Sequence, residues 1–255
     1  LIVSKFKGLQ EKYGKDSIAV YSGSSLTTEK TYLVGKFARL GLQTRYIDYN
    51  GRLCMASAAG GNNKAFGIDR AANPWSDIPF AEVLIIAGAN CAETFPIING
   101  FLWKQRDNGG VWIVIDPRET ATARQGDIHL QLKPGTDAAV TNGMLNVLIN
   151  EDLLDQAFID SRTNDWEATR ETALKYTPDV ASQISGVPAE KIVQAALVYG
   201  RAKTGMVMHA RGIEHHSNGT ENVLSYINLV LATGKIGSQG RGYGTITGQG
   251  NGQGG

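Results

Sequence analysis

The chain contains two cysteines, Cys54 and Cys91, whose thiols are the first candidates for metal chemistry. They form no Cys-x-x-Cys pair, which argues against a disulfide scaffold and against a self-contained zinc or iron–sulfur site. A single cysteine is most often a small packing residue. We expect that role for Cys91, whereas the interpretation of Cys54 depends on the segment around it.

The histidines do not suggest a metal site. His215 and His216 are adjacent in the sequence, so their side chains need not converge on one ion. His129 and His209 are predicted to be strand residues without partners. Arg211 is a candidate for attracting an anion, and an exposed ion pair is the structural alternative.

Small and polar residues follow several predicted strands. They occupy positions 22–25, 88–90, 116–120 and 135–137. In parallel sheets, ligands bind beyond the carboxyl ends of the strands, and four such ends on one sheet would favour a nucleotide-like ligand. Tight turns and helix caps are the alternative for each of them. The absence of a Gly-x-Gly-x-x-Gly or Walker A motif argues against a plain NAD or ATP fold.

The elements that would position these residues alternate along the chain. Buried apolar runs predict strands at 16–22, 44–49, 82–88, 111–115, 127–132 and 205–210. Helical spacing predicts helices around 33–40, ending at Gly41, at 97–107, after a Thr136 cap, at 189–199 and at 222–233. This alternation predicts an α/β fold with a mostly parallel sheet.

Composition limits the classes of function. A net charge of +1 without a basic run gives no reason to expect nucleic acid, and no apolar stretch is long enough to span a membrane. Glycine is abundant, with 31 residues, many of them in 234–255. A flexible linker is one interpretation, but the mixture there of Lys235, Arg241 and Tyr243 argues against it. The chain starts at Leu1 and ends in this glycine-rich run, so we expect it to be part of a longer protein.

The most specific segment is 50–58, which reads Asn-Gly-Arg-Leu-Cys-Met-Ala-Ser-Ala. It resembles the segment of the dimethyl-sulfoxide-reductase superfamily of molybdopterin oxidoreductases in which Cys, Ser or selenocysteine ligates molybdenum. The Cys54-Met55 pair is similar to the nitrate reductase version, whereas formate dehydrogenases of this superfamily tend to place a histidine after the ligand.

Further segments follow in the order that the family has. Residues 87–94 resemble its Gly-x-Asn-x-x-Glu segment, 115–120 its Asp-Pro-Arg-x-Thr segment and 134–137 its Gly-Thr/Ser-Asp segment. The resemblance implies that they hold a guanine dinucleotide arm of the cofactor through Gly88, Asn90, Glu93, Asp116, Pro117, Arg118, Thr120, Gly135, Thr136 and Asp137. For Asp116 and Asp137 the alternatives are a turn former and a helix-start acid, and for Arg118 a surface ion pair.

Two other segments extend the resemblance over essentially the whole chain. Residues 211–216 occupy the place of a segment that usually reads Gly-x-x-Gln, and His215 stands where glutamine is common. Residues 248–254 match a glycine-rich segment of assimilatory nitrate reductases. Asn50 and His215 are implied to contact the cofactor.

The resemblance also implies an architecture. We expect an α/β fold of two Rossmann-like parallel-sheet domains, one inserted into the other. Residues 1–49 with 204–255 would form a discontinuous, incomplete molybdopterin-binding domain, and 50–203 the inserted domain for the dinucleotide arm. The family's N-terminal domain, which carries a 4Fe-4S cluster, and its C-terminal domain lie outside this sequence.

The implied function is nitrate reduction at molybdenum bis(molybdopterin guanine dinucleotide), with Cys54 as metal ligand. A soft thiolate suits a metal that cycles between oxidation states. Met55 would line the substrate funnel, or alternatively fill the core, and Arg211 would attract nitrate. An electron donor protein or domain and a cytoplasmic location are expected, without nucleic-acid or membrane partners. Formate oxidation at the same kind of site, and a fragment that acts only as an inactive cofactor-binding scaffold, are the alternatives.

Overall fold

The structure, a computed structural model, describes residues 1–249. The chain divides into two compact units: a first unit of Leu1–Ala56 with the segment that starts at Thr247, and a second unit of Ser57–Ile246. Each unit contains its own parallel sheet. The α/β class with parallel sheets is therefore confirmed. The Ser22–Ser25 turn, however, follows a strand of a different sheet from the other three polar segments.

Helices and strands alternate along most of the chain. The α-helices are α1 Ile2–Tyr13, α2 Thr28–Lys36, α3 Gly51–Cys54, α4 Ala56–Phe66, α5 Cys91–Thr94, α6 Asn99–Asp107, α7 Asp137–Asn150, α8 Gln156–Arg162, α9 Trp166–Leu174, α10 Pro178–Ser185, α11 Ala189–Arg201, α12 Arg211–Glu214 and α13 Gly219–Ala232. The strands are β1 Val20–Ser22, β2 Ile47–Tyr49, β3 Val83–Ala87, β4 Val111–Ile115, β5 Ile128–Leu130, β6 Gly205–His209 and β7 Arg241–Thr245.

The first unit contains the predicted βαβ arrangement. β1 and β2 pair in parallel, with Val20 opposite Ile47, and α2 connects them. The helix does not stop at Gly41: it continues as a π-turn to Leu42 and ends where Gln43 adopts φ 56°. β1 is shorter than the predicted strand 16–22, because Lys15–Ser17 forms a 3₁₀ turn.

The second unit is built on a five-stranded sheet with the order β5-β4-β3-β6-β7. Every neighbouring pair is parallel. Alternate residues of β3 face opposite sides of the sheet. Val83 and Ile85 belong to an apolar cluster with residues of α7, α11 and α13, whereas Leu84 and Ile86 belong to a cluster that includes Leu102 of α6. Because both faces are covered, the strands are continuous apolar runs.

The predicted limit at residue 204 is wrong. β6 pairs with β3, and β7 pairs with β6, so residues 205–245 complete the sheet of the second unit. The contact boundaries lie instead at Ala56/Ser57 and Ile246/Thr247. The physical reason is backbone hydrogen bonding: β6 is the direct neighbour of the central strand β3 and cannot belong to a separate sheet.

β7 was not predicted from the sequence. Its sequence, Arg-Gly-Tyr-Gly-Thr, has two glycines and little β-propensity. Gly242 leaves no space for a side chain, since a Cβ there would lie 1.9 Å from Asn73 Oδ1. This part of the glycine-rich tail is therefore an ordered strand rather than a linker.

Candidate functional site

The carboxyl edge of the five-stranded sheet brings together most of the predicted cofactor-binding segments. Residues 88–90 follow β3, residues 116–120 follow β4, residues 133–137 follow β5, and residues 210–216 follow β6. The chain runs from β3 to β4 and β5 on one side, and then to β6 on the other side of β3. The space beyond β3 and β6 is thus a topological switch point, where sheets of this kind bind ligands.

The loops after β3 and β6 touch through their backbones. Gly88 has φ +55°, and its carbonyl accepts a hydrogen bond of 3.0 Å from Gly212 N. A Cβ on Gly88 would lie 2.6 Å from Ile213 N. Only glycine meets both the conformational and the steric requirement at this position. Gly88 therefore lets the two loops approach each other at the carboxyl end of β3 and β6.

Asn90 and Glu93 act locally on the loop after β3. Asn90 Nδ2 donates to Glu93 Oε2 at 2.8 Å, and Asn90 Oδ1 accepts from the Thr122 hydroxyl at 3.1 Å. Thr122 Oγ1 in turn accepts from Ala92 N. These bonds connect the loops after β3 and β4, so Thr122 is a site residue that the sequence pattern did not predict.

The segment after β4 is an Asx turn followed by a helix cap. Asp116 Oδ1 accepts from Arg118 N at 2.8 Å, and Thr120 Oγ1 accepts from Ala123 N at 3.1 Å. Pro117 is exposed, and so is the Arg118 side chain, which forms no ion pair within residues 1–249. The local role proposed as the alternative for Asp116 is thus present, and Arg118 remains accessible to a ligand.

His129 of β5 does have a partner, contrary to the prediction. Its Nε2 lies 2.9 Å from the carbonyl oxygen of Asp116. The contact crosses from β5 to the end of β4, because these strands are neighbours in the sheet. The imidazole therefore stabilises the turn after β4.

Asp137 is the most buried carboxyl group among the predicted site residues. It begins α7 with 4% of its surface exposed, and its Oδ1 accepts from the Tyr226 hydroxyl at 3.1 Å. Burial raises the pKa of Asp137, against the opposing effects of Tyr226 and of His216. Thr136 stands at the N-cap position, but its hydroxyl donates to Lys133 O at 2.6 Å, so the expected side-chain cap is not formed. Gly135 makes the turn with φ +82°.

Arg211 belongs to a buried polar network at the end of β6. Its Nη2 lies 2.5 Å from Glu214 Oε1, and the same oxygen lies 3.0 Å from His209 Nδ1. His209 Nε2 forms a short contact with the hydroxyl of Tyr243 on β7. The prediction that His209 has no partner is therefore wrong. The ion pair suggested as the alternative for Arg211 is formed, but with a buried carboxylate rather than on the open surface.

His215 and His216 lie in different environments. His215 is exposed, whereas His216 Nε2 lies 2.8 Å from Gly212 O within the same loop. Within residues 1–249 no group of three or more His, Cys, Asp and Glu side chains is arranged to hold a metal ion. No helix in that part of the chain has the length and apolar character that a bilayer crossing requires.

In the first unit, Asn50 joins the two strand ends. Its Oδ1 accepts from Ser24 N at 2.8 Å and lies 3.1 Å from the Ser24 hydroxyl. That hydroxyl is also 2.5 Å from Gln249 Oε1. Asn50 therefore supports the turn after β1 through its side-chain oxygen. The predicted glycine-rich segment 248–254 falls outside the described residues beyond Gln249.

Cys54 is the last residue of the single-turn helix α3, and Met55 follows it. This short helix begins after β2, and Cys54 N donates to Asn50 O at 3.0 Å. Cys54 and Met55 are both half-buried. Cys91, by contrast, is 1% exposed, and desolvation raises its pKa to about 11, so it stays a neutral thiol. The packing role expected for Cys91 agrees with this environment.

Three partners in this site were not found from the sequence. Glu214 lies three residues after Arg211, a helical spacing that could have suggested the pair. Tyr243 and Tyr226 are far from their partners along the chain, and no local pattern connects them. The structure therefore adds Glu214, Tyr243 and Tyr226 to the predicted set.

The chain is similar in sequence to several oxidoreductases of known function. It is 50% identical over 248 residues to the assimilatory nitrate reductase catalytic subunit of Bacillus subtilis, covering 96% of this chain and 35% of that protein. It is 39% identical over 240 residues to the F420-dependent formate dehydrogenase subunit alpha of Methanocaldococcus jannaschii, covering 94% and 36%. The chain thus spans about a third of the length of these relatives.

A solved structure shares the fold. Acetylene hydratase from Pelobacter acetylenicus superposes with a TM-score of 0.74 at 25% identity, covering 94% of this chain and 32% of that one. The family model described as molybdopterin oxidoreductase matches residues 1–254. Since that match takes in both units and all of the polar segments at the strand ends, the chain belongs to the molybdopterin oxidoreductase family.

Proposed function

We propose that the full-length protein reduces nitrate to nitrite at a molybdenum centre, with Cys54 as the protein ligand. The observation that carries this proposal is the 50% identity to an assimilatory nitrate reductase catalytic subunit, against 39% to a formate dehydrogenase subunit over a similar length. Methionine rather than histidine at position 55 also favours nitrate reduction over formate oxidation.

The proposed cofactor is molybdenum bis(molybdopterin guanine dinucleotide). A guanine base offers N–H donors, and the carboxyl edge of the second unit offers two buried carboxyl groups, Asp116 and Asp137, as acceptors. Arg118 adds an exposed guanidinium, a group that binds phosphate oxygens in pairs. This donor set fits a guanine nucleotide arm. When bound, such a cofactor supplies two-electron oxygen-atom transfer chemistry.

Cys54 would hold the metal as a thiolate. A thiolate is a soft ligand that suits an electron-rich metal. Its backbone is held one turn after Asn50, which is itself hydrogen-bonded to Ser24. The first unit therefore orients the thiol through its backbone, and Met55 would shape the approach of the substrate. His215, exposed on its loop, would contact the pterin.

Arg211 would act on the anion. Its side chain remains 22% exposed although it is paired with Glu214. The pair reduces its net charge, so the guanidinium would orient nitrate through directional N–H donors rather than through a strong field. The overall reaction consumes two electrons and two protons and releases nitrite and water. The electrons would come from a donor protein or domain through a 4Fe-4S cluster elsewhere in the full-length protein, in the cytoplasm.

Formate oxidation is the second candidate. The observation in its favour is the identity of 36 to 39% with three archaeal F420-dependent formate dehydrogenase subunits. It uses the same type of cofactor site, so the two candidates differ in substrate but not in the proposed role of Cys54. A non-catalytic scaffold would be the third interpretation of the isolated 255 residues.

The test is the molybdenum and pterin content of the full-length protein, with nitrate and formate assays. We expect one molybdenum and two pterins per chain, nitrate reduction, and at least about a hundredfold loss of activity in Cys54→Ala, since a metal ligand is removed. Cys91→Ala is the matched control and should keep its molybdenum. A full-length protein without metal and pterin, made in a host that supplies the cofactor, would rule out the proposal. Formate turnover without nitrate turnover would replace it with the second candidate.

A further inference from the structure

The network around Arg211 is more elaborate than an anion site requires. It joins β6, the turn that follows it, and β7. His209 and Tyr243 are fully buried, and Glu214 is 1% exposed. Thr245 Oγ1 also lies 3.4 Å from His209 Nε2. Side chains of this kind are rarely placed in a core without a reason, because each buried polar group is costly unless it is hydrogen-bonded.

The contacts form a chain from β7 to the turn after β6. The Tyr243 hydroxyl, whose pKa is raised by burial, contacts His209 Nε2. On the other side of the imidazole, Nδ1 lies 3.0 Å from Glu214 Oε1. Glu214 accepts from Arg211 as well. His209 therefore lies between a tyrosine and the Glu214–Arg211 ion pair.

The backbone of the same turn is held on several sides. Glu214 O accepts from the Ser57 hydroxyl at 2.9 Å, and Ile213 O accepts from Asn222 at 3.0 Å. A Cβ on Gly219 would lie 2.0 Å from Glu214 O, so a glycine is required for α13 to begin there. Because the turn is rigid, the contact of Glu214 with Arg211 determines where the guanidinium lies.

We propose that Glu214 and His209 are positioning residues that fix the Arg211 guanidinium at the carboxyl end of β3 and β6 for the anionic substrate. The role of Arg211 in nitrate reduction rests on the proposed function, whereas the network itself does not. Tyr243 contacts His209, His209 lies against the Glu214 carboxylate, and Glu214 pairs with Arg211. None of the three needs to touch the substrate.

The kinetic test uses Glu214→Gln in the full-length holoenzyme, with rates expressed per bound molybdenum. Glutamine keeps the shape but removes the charge that holds Arg211. We expect kcat to fall about tenfold without a rise in the KM for nitrate, because a misplaced group slows the reaction while the uncompensated guanidinium still attracts the anion. Glu214→Asp keeps the charge and should recover part of kcat. Glu221→Gln, an exposed carboxylate at the start of α13, is the matched control.

The second readout does not depend on turnover. With histidine-selective ¹⁵N labelling, the full-length protein should show a slowly exchanging, downfield imidazole proton. It should disappear in His209→Gln, shift in Glu214→Gln and persist in Arg211→Lys. The absence of this resonance in the unaltered protein would overturn the network, as would a Glu214→Gln enzyme with the control's kcat and KM. If the resonance is present but nitrate is not reduced, the proposed function fails and the network stands.

Discussion

The two units of the chain bury very different amounts of apolar side chain. In the described part of the first unit, the buried apolar side chains are Ile18, Ala38 and Leu42. α1 and α2 have no buried residue at all. In the second unit both faces of a five-stranded sheet are covered by apolar clusters. Of the eighteen large apolar side chains that are exposed within residues 1–249, twelve lie in the first unit.

The larger apolar core and the proposed metal ligand therefore lie in different units. A two-stranded parallel sheet has too little buried surface to be stable alone. Yet the first unit holds Cys54, the proposed metal ligand, whereas the second unit has the core of an independent domain. We infer that the first unit depends on further contacts for its stability, and that the second unit is stabilised by its own core.

The largest effect should appear in amide hydrogen exchange of the 255-residue chain. The amides of β3, β4 and β6 should exchange through global unfolding, and those of β1 and β2 through local opening. We expect protection to differ by about a thousandfold or more. Equal protection in the two sheets would contradict the proposed difference in stability. Protection of β1 and β2 that rises in the full-length protein would show that further contacts stabilise the first unit.

The next largest difference should be in the free energy of unfolding when one apolar side chain is truncated in each unit. Ile85→Ala in the central strand should lower the free energy of unfolding by about 3 kcal/mol, because it leaves a cavity in a closed core. Leu33→Ala in α2, where the side chain is 58% exposed, should change it by no more than about 0.5 kcal/mol. Denaturant titration measures both variants. A loss of similar size in Leu33→Ala would show that the first unit has a core of its own.

Two glycines with positive φ make a matched pair. Gly88→Ala should cost about 3 kcal/mol or more, because the new Cβ meets the backbone of Gly212 and Ile213 in addition to the strain of a positive φ. Gly14 of the first unit also has a positive φ, +89°, but a Cβ added there would have no atom within 4 Å. The cost of Gly14→Ala should be smaller, about 1 to 2 kcal/mol, from conformational strain alone, because Gly14 with ψ 170° lies in a region that only glycine readily adopts. Denaturant titration compares the two, and equal costs would mean that the contact between the β3 and β6 loops is not tight.

The smallest effect concerns Asp137. Its pKa is raised in the folded state, so the folded protein binds this proton more tightly than the unfolded chain does. The stability that the protonated form contributes is complete below the unfolded value of 3.8 and is lost as the pH rises through the raised pKa. Asp137→Asn should therefore raise the melting temperature by a few degrees near neutral pH, and the gain should vanish in acid.

Asp16 of the first unit provides the control for that experiment. It forms an exposed ion pair of 3.0 Å with Arg45, and Asp16→Asn should change stability by no more than about 0.5 kcal/mol. A lower melting temperature of Asp137→Asn at neutral pH would contradict the expected effect of burial.

If the Asp137 carboxylate accepts a hydrogen bond from a guanine, Asp137→Asn should also weaken cofactor retention in the full-length protein. The variant would then lose function while it gains stability.

Much of the fold could be predicted because its signals are local. β3 and β4 are continuous apolar runs, and the helices α7, α11 and α13 lie close to their predicted positions. Polar residues were expected beyond the strands, and the structure places 88–90, 116–120 and 135–137 at one edge of one sheet. The site roles of Cys54, Met55 and His215 remain predictions, since they depend on a cofactor.

The failures have a common cause. β7 is a strand because the edge of β6 is available for pairing, and its own residues have weak strand preference. The limit at residue 204 was misplaced because a change of domain cannot be read without knowing which strands pair. The sequence predicts no partner for His209, because Tyr243 lies 34 residues away and approaches only through that pairing.

The sequence by itself determined the alternation of strands and helices, the order of the polar segments and the pair Cys54-Met55, because periodicity, turn chemistry and residue type act over a few neighbouring positions. Only the tertiary structure decided the strand order β5-β4-β3-β6-β7, and with it the burial of Asp137 and the partners of Arg211 and His209. The physical reason is that hydrogen-bond partners and desolvation depend on distances in space, which the order of residues along the chain does not specify.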